Sequence, residues 1–350
     1  MIIVVTHAYN AEKTIERAVD SILNQTYGSF RYYLIDNGSS DGTSDIIVGY
    51  AKRDNRIRAL RSDTNMLEAR KAGKSVSWTI KDILELSHDE YPEGRYYCKL
   101  DADDEYMPTF FEKALAFMQL HNLDIVACSS HSISEETGEK VDIDRFVLND
   151  LILQNEGFVK HIAVYNLIMS AVWGKMYSLP IVRKWYIESA ERTSIPPGTP
   201  KMDVIATTKM FSYADRVGIL AEKLHRQYFS PNSLRHTIKE YHKNRHAPHI
   251  HHSVRSDFIK CKSGRISPHN SELFEYYVNY TYGSAMFLLK MEILTFNKVS
   301  ALSRIIRSFV RTVSFWGLCV TLKKAFLMPW QKLIRKLRRI INSQKILTIS

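Results

Sequence analysis

The chain has 350 residues, 45% of them hydrophobic and 24% charged, with only 14 Gly and 10 Pro, which excludes disordered, collagenous and low-complexity proteins. A hydrophobic core stops growing at roughly 250 to 300 residues, so one large domain with an appendage is expected rather than two equal domains. The net charge of +11 is uneven: Lys298 to Ser350 hold twelve cations and no acid, leaving 36 cations against 37 acids, or −1, elsewhere. The positive charge therefore belongs to a tail, and its use is separable from the main fold.

In chain order, the first predicted element is a strand over Ile2 to Thr6. This opening run has no basic leader and too few apolar residues for a signal sequence, so export by that route is not expected. A helix is predicted from about Ala11, because Ile15, Val19, Ile22 and Leu23 recur at three- to four-residue spacing and share one face. A strand over Tyr32 to Ile35, a turn rich in Gly, Ser and Asp from Asp36 to Thr43, a helix and a strand near Ile57 to Leu60 follow. Next come a longer helix over about Leu67 to Leu86 and a strand over Tyr96 to Leu100 that ends in Asp101, Ala102, Asp103 and Asp104. A helix over Thr109 to Leu120 leads to a strand over Asp124 to Ser129. This alternation predicts an α/β fold, a mostly parallel sheet flanked by crossover helices.

Cys98, Cys128, Cys261 and Cys319 have no short pairing and read as thiols in a reducing compartment. The longest nearly uncharged apolar stretch near the tail, Val313 to Leu322, has ten residues, and roughly 20 are needed to span a bilayer, so no transmembrane helix is expected.

In open α/β sheets ligands bind beyond the carboxyl ends of the strands. Three strands end there in polar residues: Thr6 with Tyr9, Asp36, and Asp101 to Asp104. Any one of these reads equally well as a solvated loop, but the coincidence of three points to a site. Three carboxylates within four residues are costly to ionise together unless a cation sits among them. Oxygen ligands suit Mg²⁺ or Mn²⁺, which bridge to phosphate oxygens, so the implied ligand is a diphosphate. The same residues also read as an acidic turn capping the helix after Pro108.

The run Thr6 to Glu12, the segment Ser21 to Tyr27, the turn Asp36 to Thr43 and Asp101 to Asp104, in this order, resemble the family 2 glycosyltransferases of the GT-A fold. The resemblance covers roughly residues 1 to 235. It implies a Rossmann-like fold and inverting transfer of a sugar from a nucleotide sugar, usually UDP-linked. The implied division is a catalytic domain over 1–240, with donor half about 1–130 and acceptor half about 131–240, then a His-rich loop and helical extension over 241–297, then a basic amphipathic tail over 298–350.

Carried over by position, Thr6, Tyr9 and Asp36 would surround the nucleobase and ribose, and Arg70 would lie beside the diphosphate. Asp101, Asp103 and Asp104 would form the metal motif, with Asp101 and Asp103 toward the nucleotide sugar. Asp103 or Asp104 would be the direct metal ligand. Trp173 and Lys175, within Ala171 to Tyr177, match an acceptor-side motif; by composition alone Trp173 reads as core. Asp203 is the candidate general base, with Met202 replacing the first acid of the family's pair; without the resemblance it reads as an ordinary helix N-terminal acid. His236 is a candidate extra metal ligand. Asn37, Lys71, Met66, Leu67, Gln227 and Tyr228 depart from the family pattern, and about a dozen extra residues around Ser87 to Arg95 precede the metal strand.

Seven of the 13 His lie between His225 and His252 at spacings that match no compact zinc rule, and they read as a mobile polar acceptor loop. In the tail, Leu302, Ile305, Ile306, Phe309, Val310 and Val313 recur at helical spacing beside Arg304, Arg307 and Arg311. A second such segment follows Pro329, with Trp330, Leu333, Ile334 and Leu337 among its apolar residues and Lys332, Arg335 and Lys336 among its cations. An apolar face opposite an all-cationic one describes a helix in an anionic membrane interface, here through residues 302–350. The alternative is a helix docked on the catalytic domain or on a partner chain. Nucleic-acid binding is not expected, because a phosphate-binding arm needs no continuous apolar face.

The expectation is a cytoplasmic enzyme, peripheral on the inner face of the membrane, acting on a glycan or lipid-linked glycan in bacterial surface polysaccharide or lipopolysaccharide assembly. A polyprenyl-phosphate glycosyltransferase and a catalytically silent assembly partner are the alternatives. Homo-oligomerisation is left open.

Overall fold

The computed structural model of the protein describes residues 1–62, 79–141, 147–154, 157–161, 171–189, 202–229, 248–263, 277–278, 281 and 295–313. Arg70 and His236 lie outside the described residues. The strands are β1 (Ile2–Ala8), β2 (Phe30–Asp36), β3 (Ile57–Arg61), β4 (Tyr96–Lys99), β5 (Glu105–Tyr106), β6 (Ile125–Ser134), β7 (Leu151–Gln154), β8 (Lys175–Ser178) and β9 (Arg216–Phe229). They form one sheet in the order β3-β2-β1-β4-β8-β6-β9-β5, with β7 paired to β9.

β1, β2, β3 and β4 are mutually parallel and carry the α/β character expected. β1 and β2 are buried on both faces, which is why Ile2 to Val5 and Tyr32 to Ile35 read as unbroken apolar runs. The crossover helix α1 (Ile15–Leu23) buries Ile15, Ala18, Val19 and Ile22, the stripe its periodicity marked, and α2 (Thr43–Arg53) buries Ile47 and Tyr50. α4 (Phe110–His121) adds Phe110, Phe111, Ala114 and Met118 to the core below β1 and β2.

The other half of the sheet is mixed. β8 runs antiparallel between β4 and β6, and β5 and β7 pair antiparallel with β9. Sequence pattern missed these strands. β8 is four residues long and opens on a lysine, and β9 carries Glu222, Lys223, His225, Arg226 and Gln227 among its apolar residues.

The helix expected over Leu67 to Leu86 is also corrected at its described end. α3 spans Ile80–Glu90 and starts afresh at an extended Thr79, which forms a capping box with Asp82; residues 63–78 lie outside the described residues. The stretch taken as an insertion is therefore partly the last turn of α3. After β8, α6 (Leu179–Arg183) continues as one π turn, and α7 spans Met202–Tyr213.

The chain divides into two compact units, Met1–Gln154 with Leu167–Ser233, and Asn155–Asn166 with Leu234–Ser350. In the second, α5 (Gly157–Lys160), α8 (Pro248–Ser263) and α9 (Thr295–Thr312) are described. Phe158 meets Phe258 edge-on at 6.4 Å, and Tyr277 stacks on Phe309 at 5.7 Å. Leu302, Ile305, Phe309 and Val313 are buried, so the first apolar stripe of the tail is covered by protein. An amphipathic helix must bury that stripe somewhere, and here Tyr277 and α8 supply the cover. Ile306 and Val310 stay exposed beside Arg304, Arg307 and Arg311.

His252 lies inside α8, fully buried, so it does not belong to a polar loop; residues 230–247 are outside the described residues. Among the described residues no helix is long and apolar enough to cross a membrane.

Candidate active site

The carboxyl ends of β1 and β2 are laced into one rim. Asn37 N donates to Ala8 O at 2.8 Å, Ser40 N to Asn10 Oδ1 at 2.9 Å, and Ala11 N to Thr43 Oγ1 at 2.8 Å. Asn10 takes the left-handed conformation, φ 48°, which a short polar side chain tolerates and which aims its amide oxygen at the facing turn. Tyr9 sits half-buried in this rim.

Asp36, at the end of β2, is 1% exposed. Its Oδ1 accepts from Ser39 N at 2.9 Å. Its Oδ2 is buried without a hydrogen bond and lies 3.6 Å from Arg61 Nε. Thr6 is placed differently from the other two donor-side residues. It is fully buried, donates to Leu100 O at 2.9 Å and accepts from Tyr32 Oη at 2.9 Å, so its hydroxyl ties strands together inside the core.

The three acidic residues after β4 divide the work among them. Asp101 Oδ1 is 3.1 Å from Lys99 Nζ. Asp104, 2% exposed, accepts from Tyr228 N at 2.9 Å through Oδ1, and its Oδ2 lies 3.4 Å from His225 Nε2. Among the described residues no other side chain hydrogen-bonds or ion-pairs with the Asp103 carboxylate, which meets its own backbone N–H, while the Asp103 carbonyl accepts from Arg17 Nη2 at 2.6 Å. Burial, with Asp104 and Asp101 adding repulsion, pushes the Asp103 carboxyl up to about 7. The Asp103 carboxylate is thus the one left open to an external cation.

The motif is held from behind by groups whose supporting role no local pattern marked. β5 pairs with β9 so that Glu105 faces Arg226 and Tyr106 faces His225. Arg17 clasps Glu135 at 2.9 Å and lies 3.6 Å over the Tyr228 ring, whose hydroxyl donates to Glu105 at 2.6 Å. His225, read above as part of a polar loop, is instead inside β9 and fully buried. Its only sequence signal was membership of the His-rich run.

On the acceptor side, Gly174 takes φ +68°, and its N–H donates to Tyr106 Oη at 3.0 Å. That bend lays the Trp173 ring on His225, centroids 4.5 Å apart. Lys175, expected on the acceptor side, is 2% exposed, and Nζ donates to Ala171 O at 2.8 Å and Trp173 O at 3.0 Å. It braces the turn that carries Trp173. Asp203, in the first turn of α7, has its side chain 54% exposed, with Oδ1 3.8 Å from Lys99 Nζ. Burial alone would lower Lys99; the carboxylates of Asp101 and Asp203 outweigh it and hold the ammonium above its ordinary value.

Among the described residues no three His, Cys, Asp or Glu are arranged to hold a metal by themselves. Asp103 nevertheless offers oxygen donors, with the charge of Asp104 and Asp101 beside it, a setting that suits a hard divalent cation completed by ligand oxygens and water.

A family profile described as Glycosyl transferase family 2 matches residues 3–179. The chain is 30% identical over 142 residues to Bacillus subtilis TuaG, provisionally named a teichuronic acid biosynthesis glycosyltransferase, covering 41% of this chain and 51% of that one. It is 25% identical over 186 residues to Escherichia coli WfgD, a UDP-Glc:alpha-D-GlcNAc-diphosphoundecaprenol beta-1,3-glucosyltransferase, covering 53% and 66%. The chain thus spans about half to two thirds of the length of these relatives. Among solved structures, S. aureus TarS 1–349 in complex with UDP-GlcNAc matches with a TM-score of 0.59 at 18% identity, over 88% of this chain and 81% of that chain. That likeness establishes the fold alone.

Proposed function

The chain belongs to glycosyl transferase family 2, and on that premise we propose that it transfers a sugar, with inversion, from a UDP-linked donor to a hydroxyl of a glycan or lipid-linked glycan in bacterial surface polysaccharide assembly. The observation that carries the reading is the Asp103 carboxylate, unpaired by any described side chain and pushed up to about 7, beside Asp104 at the same strand edge as Asp36. Charge crowded in that way is relieved by a cation that also meets a diphosphate. The names of TuaG and WfgD support the polysaccharide context, and WfgD and the TarS complex support a UDP-sugar donor.

In this reading Asp36 and Tyr9 face the nucleoside, and Asp101 faces the sugar. Asp103, with Asp104, would hold Mg²⁺ or Mn²⁺, which when bound offsets the charge building on the leaving diphosphate. Asp203, exposed across from Asp101, takes the proton of the acceptor hydroxyl as that oxygen attacks the anomeric carbon from the face opposite the diphosphate. Such base assistance is worth about 10² to 10⁴ in rate. The buried turn at Trp173 supports the acceptor side.

The same proposal places the enzyme at the cytoplasmic face of a membrane through residues 302–350. Exposed Ile306 and Val310 among Arg304, Arg307 and Arg311 support it within the described part of that segment.

The test is calorimetry of UDP, GDP and CDP with and without Mn²⁺, followed by hydrolysis of a panel of UDP-sugars. Metal-dependent, UDP-selective binding with slow hydrolysis of one sugar is expected. Nucleotide binding without turnover would favour the silent partner suggested by Met202, and transfer to a bare polyprenyl phosphate would favour that acceptor class. No nucleotide binding by folded protein would overturn the reading.

A further inference from the structure

We propose that Lys99 is a positioning residue that fixes Asp203 against the donor edge of the sheet. The inference rests on the glycosyl-transfer reading above and deepens it.

Lys99 is the last residue of β4. Side chains alternate along a strand, and Cys98 and Leu100 enter the main core, so Lys99 shares the opposite face with Tyr97, whose ring meets Tyr177 at 6.2 Å. Most positions on these inner strands are apolar. A cation there is retained only where carboxylates meet it, because a buried unpaired charge is costly. Lys99 Nζ meets two, Asp101 at 3.1 Å and Asp203 at 3.8 Å.

The two contacts differ in kind. The first is a charge-assisted hydrogen bond to a residue two positions on in the same turn. The second joins β4 to the start of α7, an element far away in sequence. The side chain of Lys99 is 13% exposed and that of Asp203 is 54% exposed, so the lysine is the anchored member of the pair. Among the described residues no other side chain pairs with the Asp203 carboxylate. At 3.8 Å, beyond hydrogen-bond length, the cation restrains the acid without occupying its oxygens fully. That arrangement suits a base that must still reach an acceptor hydroxyl. A helix staple alone would act on stability and leave turnover intact.

The test uses the full chain and the UDP-sugar that the wild type hydrolyses fastest. Lys99→Met should lower kcat by about 10- to 100-fold, since small displacements of a reacting group cost that much, with KM for the UDP-sugar changed less than about threefold. Lys99→Arg should recover much of the loss. In an Asp203→Asn background Lys99→Met should cost no more than about threefold, the part that Lys99 exerts through Asp101, because its action on Asp203 is already lost. Should Lys99→Met fail to fold, Lys99→Gln carries the same cycle. A kcat within about threefold of wild type, or an undiminished loss in the Asp203→Asn background, overturns the role of Lys99 while leaving the enzyme reading intact. A folded wild type that neither binds UDP with Mn²⁺ nor hydrolyses any UDP-sugar overturns the enzyme reading, and the role of Lys99 with it.

Discussion

The imidazole of His225 lies face to face with the indole of Trp173, ring centroids 4.5 Å apart and planes 12° apart. The same imidazole points Nε2 at Asp104 Oδ2 across 3.4 Å. One buried ring thus joins the Ala171 to Gly174 turn to the acidic motif. Trp173→Ala should destabilise the protein by about 3–5 kcal/mol, the usual cost of emptying a buried aromatic site. Aromatic stacking accounts for about 0.5–1.5 kcal/mol of such a loss, so Trp173→Phe should retain most of the stability. Urea unfolding of the two variants measures both, and equal losses would mean that the stack is incidental.

Asp203→Asn should reduce sugar transfer by about 10² to 10⁴ while leaving Mn²⁺-dependent UDP binding within about twofold. Steady-state kinetics beside calorimetry separates the two effects. Near-normal turnover would remove Asp203 from the mechanism.

Asp103 and Asp104 should respond differently to the same change. Asp104 accepts from Tyr228 N and faces His225, so Asp104→Asn disturbs the packing of β9 and should cost about 1–3 kcal/mol. Asp103→Asn removes charge from a crowded, buried position and should leave the metal-free protein at least as stable as the wild type. Mn²⁺ should raise the melting temperature of the wild type and not that of Asp103→Asn. A variant that Mn²⁺ still stabilises fully would move the metal elsewhere.

Burial holds His252 at about 4, below the 6.5 of an exposed histidine. Its described partners include Thr281 Oγ1 at 2.9 Å from Nε2, Ser256 Oγ at 3.4 Å from Nδ1, and the Tyr277 ring. A folded-state value below the unfolded one means that the neutral form is preferred in the fold. Its contribution is therefore whole above about pH 6.5 and is lost as pH falls toward 4, by about 1.4 kcal/mol per unit. Denaturant unfolding between pH 7 and 4 should show a slope that His252→Gln reduces, and identical slopes would refute it.

The two parts of the tail should separate on truncation. Ending the chain after Val313 keeps Leu302, Ile305, Phe309 and Val313 in the C-terminal unit, and should release the protein from anionic vesicles without unfolding it. Ending it before Leu302 removes those buried side chains and should lower the melting temperature as well. Vesicle binding that survives the first cut would confine any membrane contact to residues before 314.

Sequence alone determined the parallel half of the sheet and the acidic edge. Ile2 to Val5 and Tyr32 to Ile35 are unbroken apolar runs, Asp36 is the last residue of β2, and Asp101 to Asp104 come just after β4. Those signals are local, carried by neighbours along the chain. Tertiary structure alone decided what meets across it. Lys99 reads as a strand-end lysine until α7 brings Asp203 to it, and His225 reads as a loop histidine until β9 pairs with β5 and β6. Lys175 reads as an acceptor-side residue until the Gly174 bend turns it onto Ala171 and Trp173. The stripe at Leu302, Ile305 and Phe309 announces a face that must be covered, and only packing says that Tyr277 covers part of it. Periodicity encodes which side of an element seeks burial, whereas the partner is chosen by contacts between segments that no short window of sequence contains.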